Sequence, residues 1–245
     1  MKNNIVVLAA IALGAFSATA QDVAPASSLS VTSSFGFESE YVFRGAQFAD
    51  AIITPAIDIA YGNAYAGMWF AIPVENADVV DCNEMDIYGG YSTSLSSLLT
   101  IDFGACRYTY GDTFTNFMDK SNSLEAYVGL SADVILSPSV YVYRDFDLLT
   151  TTIEGSIGHS ISLSDKMSVD LGASIGYVSS EYDDNDYTYY GATADMSYSI
   201  NDSSSIGFGL RYSGSDNDMI YTGDYGDADM KASDFWYGLS FSSGF

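Results

Sequence analysis

The chain has 245 residues, with 8 Lys and Arg against 32 Asp and Glu and a formal net charge of −24. That balance excludes nucleic acid as a partner, because phosphate binding needs clustered Lys and Arg. With 20 Tyr and 14 Phe the chain is too aromatic for an acidic disordered protein, and 22 Gly with 4 Pro favour strands and tight turns.

The N-terminus carries Lys2, an apolar run from Ile5 to Phe16, and then Ser17-Ala18-Thr19-Ala20. A positive start, a short apolar core and a small-x-small site describe a secretory signal peptide. Residues 1–20 are expected to be removed, leaving a short N-terminal periplasmic segment over 21–32 and one domain over 33–245. The apolar run is too short to cross a bilayer as a helix, and no later stretch reaches the ~18 apolar residues that a spanning helix needs.

From there the apolar residues recur at every second position, the period of a strand with two unlike faces. Twelve such segments follow in order: 33–44, 53–62, 64–73, 83–93, 98–109, 122–135, 138–147, 151–162, 167–178, 189–200, 204–213 and 234–245. In the first, Phe35, Phe37, Tyr41 and Phe43 alternate with Gly36, Glu38, Glu40, Val42 and Arg44. In the sixth, Leu124, Ala126, Val128 and Leu130 alternate with Glu125, Tyr127, Gly129 and Ser131. One face is aliphatic and aromatic, the other small and acidic, which is lipid-out, water-in patterning.

The links alternate as well. Gly62-Asn63, Ser94–Ser97, Ser137-Pro138, Ser164-Asp165-Lys166 and Asn201-Asp202 are short turns, whereas 45–52, 74–82, 110–121, 179–188 and 214–233 are longer, with a short exception at Leu148–Leu149. Short turns on one side and long links on the other is the arrangement of an outer-membrane barrel. The fold expected is all-β, a transmembrane antiparallel up-and-down barrel of about twelve strands, with ten or fourteen as alternatives. A soluble sandwich or lipocalin-like barrel is the other use of such strands, but its edges are usually guarded by Lys.

The last segment ends on Phe245. Its Tyr237, Leu239, Phe241 and Phe245 form a barrel-closing signature. It should pair with the first strand and put Trp236 on the lumen face beside Glu38, Glu40 and Arg44.

At Ser39-Glu40-Tyr41-Val42-Phe43-Arg44-Gly45-Ala46-Gln47 the chain resembles the TorF-type porins, also known as the Gcw_chp outer-membrane family, whose first strand carries S-[DE]-Y-x-F-R-G before a Gln- or Asp-bearing loop. Thr54-Pro55-Ala56-Ile57, Ala64-Tyr65-Ala66-Gly67-Met68-Trp69 and Leu124–Leu130 also fit, and the likeness covers most of residues 33–245. The resemblance implies a secreted Gram-negative outer-membrane porin and supplies no substrate.

The lumen face is expected to carry Glu38, Glu40, Asp58, Glu84, Asp86, Asp102, Glu125, Asp133, Glu154, Asp170 and Asp195 against Arg44 and Arg211. Carboxylates around a wet pore favour cations, although the same residues suit a plugged interior with internal ion pairs. All four arginines fall late in odd-numbered segments, near the outer rim; Arg107 and Arg144 share the lipid parity, where they could meet lipopolysaccharide phosphates. Arg44 is expected to pair with a lumen carboxylate and shape the mouth.

Cys82 and Cys106 read as one disulfide in an exported chain, with two reduced thiols as the alternative. The outer links are acidic at Asp183-Asp184-Asn185-Asp186, at Asp216-Asn217-Asp218 and at Asp224, Asp227, Asp229 and Asp234, without the spacing of a calcium loop. No cofactor is expected. The sole histidine, His159, is followed by Ser160, and strand neighbours point to opposite faces, so the pair cannot serve as base and nucleophile. The chain is read as a non-enzymatic channel for small hydrophilic solutes with mild cation preference. Its partners would be outer-membrane lipid and lipopolysaccharide, and the barrel-assembly machinery during insertion. The alternative is a non-conducting barrel that binds, adheres or supports the envelope through its loops.

Overall fold

The computed structural model describes residues 26–74, 83–111, 122–182, 185–224 and 226–245. The signal peptide, Cys82, Asp183 and Asp184 lie outside the described residues. Sixteen strands follow in chain order: β1 (Ala26–Glu38), β2 (Tyr41–Phe43), β3 (Ala46–Ala49), β4 (Ile52–Gly62), β5 (Ala64–Pro73), β6 (Glu84–Ser94), β7 (Leu99–Tyr110), β8 (Ser123–Ala132), β9 (Ser139–Asp145), β10 (Thr150–Ser164), β11 (Met167–Ser180), β12 (Tyr187–Ser199), β13 (Ser204–Ser215), β14 (Ile220–Tyr221), β15 (Met230–Lys231) and β16 (Ser233–Gly244).

Twelve of these form one closed antiparallel barrel, in the order β1-β16-β13-β12-β11-β10-β9-β8-β7-β6-β5-β4. Neighbours in sequence are neighbours in the wall, and β1 closes the ring against β16 with Phe35 opposite Phe241 and Phe37 opposite Leu239. The remaining four strands make two small hairpins, β2–β3 and β14–β15, outside the wall register.

Alternation sets the two faces, since successive side chains of a strand point to opposite sides. Outward go Phe35, Ile57, Phe103, Val128, Ile153, Ile175, Leu210, Tyr237, Leu239 and Phe241, all exposed, and Phe245 follows at the end. Inward go Asp58, Glu84, Asp86, Asp102 and Glu125, all buried. A soluble barrel has the reverse arrangement, so the lipocalin-like alternative falls. An apolar band running round the whole wall is the surface that hydrocarbon, rather than water, accommodates.

The interior has two halves. Toward the short turns it is lined by hydroxyls, among them Ser34, Ser92, Ser131, Ser156, Ser168, Ser197 and Ser240 on lumen-facing positions. Toward the long links it is packed. Tyr41, Ala49, Ile52, Ala56, Trp69, Ala71, Tyr88, Cys106 and Tyr108 form a buried cluster inside the barrel, built around the β2–β3 hairpin.

Most boundaries shift by one to three residues from the sequence reading, and the first strand shifts most. The first wall strand is Ala26–Glu38, not 33–44, so the second half of the expected 21–32 segment belongs to the barrel. The residues after Glu38 have left the wall.

Candidate functional site

The chain turns inward at Ser39. There the last rungs of the β1–β16 seam form: Ser39 N donates to Tyr237 O at 2.9 Å, and Tyr237 N donates to Ser39 Oγ at 3.1 Å. Beyond it β2 and β3 pair, with Phe43 opposite Ala46, and Arg44-Gly45 is the two-residue turn. Both turn residues have positive φ, +49° and +77°. That is the backbone of the tight hairpin turn whose twist suits its strands, usually filled by Asn-Gly or Asp-Gly. A left-handed arginine costs about 1 kcal/mol, so something must hold it there.

The wall holds it. Arg44 Nη1 donates to Glu125 Oε2 at 2.7 Å and Nη2 to Glu125 Oε1 at 3.0 Å, a forked pair onto β8 on the far side of the lumen. The guanidinium carbon lies 4.6 Å from the Phe43 ring centre and 4.5 Å from that of Tyr143, so the cation is held between two aromatic faces. Gly45 abuts β12 and β13: an added Cβ would come within 2.8 Å of Gly214 O and of Tyr189 Cβ. The tip therefore spans the barrel.

The rest of the hairpin is seated on both sides. Tyr41 donates to Glu84 at 2.8 Å and packs on Trp69, with ring centres 5.7 Å apart. Val42 is buried with Ile220 and Trp236 on the opposite side. Gln47 N donates to Met219 O at 3.0 Å, and Gln47 Oε1 accepts from Tyr221 N at 3.0 Å, which ties the hairpin to the last long link. Both tryptophans of the chain thus contact the hairpin.

At the hairpin's root sits Glu40, with one buried carboxylate oxygen that accepts no hydrogen bond. Burial, then the charge of Asp234, push its carboxyl up to about 7, with Lys231 pulling down and Asp50 adding to the rise. Lys231 pairs with Asp234, and Gln47 Nε2 donates to Asp50 Oδ1 at 3.1 Å.

Around the hairpin the wall carries tyrosines whose hydroxyls donate to several of the lumen carboxylates. Tyr65 and Tyr141 both donate to Asp102, at 2.8 and 3.3 Å; Tyr88 donates to Asp58, Tyr108 to Glu125 at 3.0 Å and Tyr189 to Glu154 at 2.7 Å. Several of these rings lie on a glycine directly opposite in the neighbouring strand: Tyr65 on Gly90, Tyr88 on Gly67, Tyr127 on Gly104, Tyr141 on Gly129 and Tyr189 on Gly176. Any Cβ there would overlap the ring. Hydroxyl-capped carboxylates can stay in a low-exposure lumen because their oxygens remain hydrogen-bonded. Glu84 and Asp86 lie together at 3% and 1% exposure, and Asp86 faces the charges of Glu84 and Glu125. A cavity of about 50 Å³ remains beside the tip, lined by Arg44, Glu154, Ser174, Tyr189, Thr193, Arg211 and Trp236 among others.

The structure gathers most of the expected lumen residues and moves three. Arg44 is at the hairpin tip and not late in the first wall strand, because β1 ends at Glu38 and the alternation through Phe43 continues in a separate hairpin. Glu40 lies in the link between β1 and β2, off the wall. Asp133 is exposed past the end of β8, in the turn before β9, so it does not line the lumen. Arg211 bridges Asp195 at 2.6 Å and Glu38 at 3.5 Å across the seam, and stands opposite Trp236. Asp170 faces Asp195 across β11 and β12 in the hydroxyl-lined half.

Outside the lumen, Arg107 pairs with Asp147 at 3.1 Å and Arg144 with Glu181 at 3.0 Å, at the rim of the long links. His159 is exposed on the outer face, between Ile157 and Ile161 and opposite Leu171. Cys106 is a buried thiol opposite Tyr88 and not opposite the start of β6, and Cys82 lies outside the described residues. The tyrosine hydroxyls are the functional feature that sequence reasoning passed over; Tyr127 between Glu125 and Gly129 on the polar face was the available signal.

Comparison with solved structures bears on the fold. A KdgM porin in complex with disordered oligogalacturonate aligns with a TM-score of 0.58 at 12% identity, covering 87% of this chain and 99% of that one. A NanC porin aligns with a TM-score of 0.51 at 12% identity, covering 88% of this chain and 99% of that one. At such identity the likeness is one of architecture. Comparison with curated protein sequences finds no match. A family model described as a bacterial protein of unknown function, Gcw_chp, matches residues 22–242, and the chain belongs to that family.

Proposed function

We propose that the protein is an outer-membrane, porin-like channel for small hydrophilic solutes, with its permeability set by the hairpin over residues 39–51. The observation that carries this reading is the way the hairpin is fastened. Its tip is held by one ion pair and a left-handed turn residue inside a closed wall that is apolar outside and polar within. A wall of twelve strands closes without the hairpin, so the hairpin can leave without opening the barrel.

The charge of the lumen supports a mild cation preference. Asp58, Glu84, Asp86, Asp102, Glu154 and Asp170 stand around only two inward arginines among the described residues, Arg44 and Arg211, each already paired with carboxylates. Rings of carboxylate raise the local concentration of cations and repel anions. An acidic sugar chain such as the oligogalacturonate seen with KdgM would meet a field of its own sign here. Neutral or cationic solutes fit better.

A second reading is favoured by how fully the hairpin and the tyrosines fill the half toward the long links: a closed barrel whose acidic outer loops bind or adhere. Planar-bilayer recording on purified protein separates the two. The channel reading expects discrete conductance steps and, under a KCl gradient, a reversal potential displaced toward that of potassium. Silence at every salt concentration favours the second.

A further inference from the structure

The contacts of Arg44 describe a ligand site as much as a structural tie. On the wall, Glu125 offers both carboxylate oxygens to one guanidinium, at 2.7 and 3.0 Å, and Tyr143 offers a ring face at 4.5 Å. Tyr108 donates to Glu125 Oε1 and so fixes the carboxylate's orientation. A planar fork matched to a carboxylate, with an aromatic face over the cation, is how guanidinium groups are recognised in general. We propose that this wall pocket, Glu125 with Tyr108 and Tyr143, is a recognition site for guanidinium-bearing solutes, filled in this structure by the chain's own Arg44.

Two further observations point the same way. Withdrawal of Arg44 would leave the Glu125 carboxylate without its cation, beside the like charge of Asp86. Like charges held close repel each other, and a cation that takes over the pairing offsets that repulsion. The pocket also belongs wholly to the wall, with Tyr108 on β7, Glu125 on β8 and Tyr143 on β9, so it does not depend on the hairpin that fills it. A solute guanidinium is thus the species that lets the hairpin leave. Its effect on passage rests on the channel reading; the binding itself does not.

The test uses ethylguanidinium as the probe and ethylurea, its neutral near-isostere, as the control, on protein in detergent. Isothermal titration on Arg44→Ala should show saturable ethylguanidinium binding. The double variant Arg44→Ala/Glu125→Gln should bind about ten- to a hundredfold more weakly, the span expected for hydrogen bonds to a charged group. Ethylurea should bind neither. Equal affinity in the two variants, or equal binding of ethylurea, overturns the proposal. Should Arg44→Ala fail to fold, the wild-type protein still decides. There the tethered Arg44 competes at millimolar effective concentration, so binding is weaker but still saturable. Trp69 and Trp236, which both touch the hairpin, should change emission with ethylguanidinium and not with ethylurea. No selective change in the wild-type protein also overturns it. Conductance is not read in these arms, so a protein that binds without conducting sinks the channel reading alone.

Discussion

Arg44 and Glu125 are 81 positions apart in the chain and 2.7 Å apart across the lumen. The pair joins the tip of an inward hairpin to the opposite wall, and it is the one ion pair that the tip makes among the described residues. Removing either partner should loosen the seat. Arg44→Ala and Glu125→Gln should each raise single-channel conductance or the open fraction, and the double variant should add little to either single one, since both cut the same link. Unchanged conductance and selectivity in Arg44→Ala would refute a role for the tip in the constriction.

Acid should favour the seated hairpin. Glu40 has its carboxyl pushed up to about 7 where the hairpin is seated, against 4.5 when freely solvated. The seated state therefore binds the proton more tightly. Its extra stability is complete below the lower value and disappears as the pH rises through the upper one. Tryptophan emission or open fraction followed from pH 4 to 9 should show closure on the acid side, and Glu40→Gln should flatten that profile. A profile untouched by the substitution would assign the transition to another group.

Glycines under tyrosine rings should resist substitution. Gly129→Ala would drive a Cβ into the Tyr141 ring and disturb its hydrogen bond to Asp102, a small-to-large change costing about 1–3 kcal/mol. Gly158 also faces the lumen, but the nearest atom to an added Cβ is Leu171 O at 3.6 Å, an ordinary contact. Gly158→Ala should be neutral or mildly stabilising. Urea unfolding of the refolded variants distinguishes the two, and equal midpoints would contradict the ring-on-glycine account.

Intact-mass measurement before and after reduction checks whether Cys82 and Cys106 are joined. Cys106 stands opposite Tyr88, six residues beyond Cys82 along the chain, and points into the lumen. A bond would bring Cys82 down into the barrel beside Asp86. A gain of two mass units on reduction supports it, and an unchanged mass shows two thiols.

The wall was legible in the sequence because its rule is local. Period-two alternation, turn residues at Gly62-Asn63 and Asn201-Asp202, and a terminal aromatic strand suffice to give the strands, their order and the β1–β16 seam. The hairpin was not legible because its parity is continuous with that of β1: Phe35, Phe37, Tyr41 and Phe43 share one parity, and the single polar residue in that series, Ser39, is where the chain leaves the wall. One serine is a weak break, and at the turn itself Arg is not a residue that usually announces a left-handed position. The lumen carboxylates followed from parity alone. Their partners did not, because Tyr189 meets Glu154 and Tyr65 meets Asp102 across two strands, at separations of 35 and 37 residues, and no local pattern encodes such a meeting.

The hairpin follows the first wall strand, yet its seat draws on β4 to β9, β12, β13, β16 and the link after β13. Residues 41–49 are therefore threaded early, while their binding surface is complete only once nearly the whole chain is in place. Before β16 closes the wall, the hairpin has only part of its seat to dock on, the part supplied by the strands that follow it directly. When β16 meets β1 and Trp236 arrives beside Val42, the last piece of the seat is complete. Docking of the hairpin thus reports that the barrel is finished, and a chain truncated before β16 would expose Val42 and its neighbours as an unsatisfied segment for quality control to find.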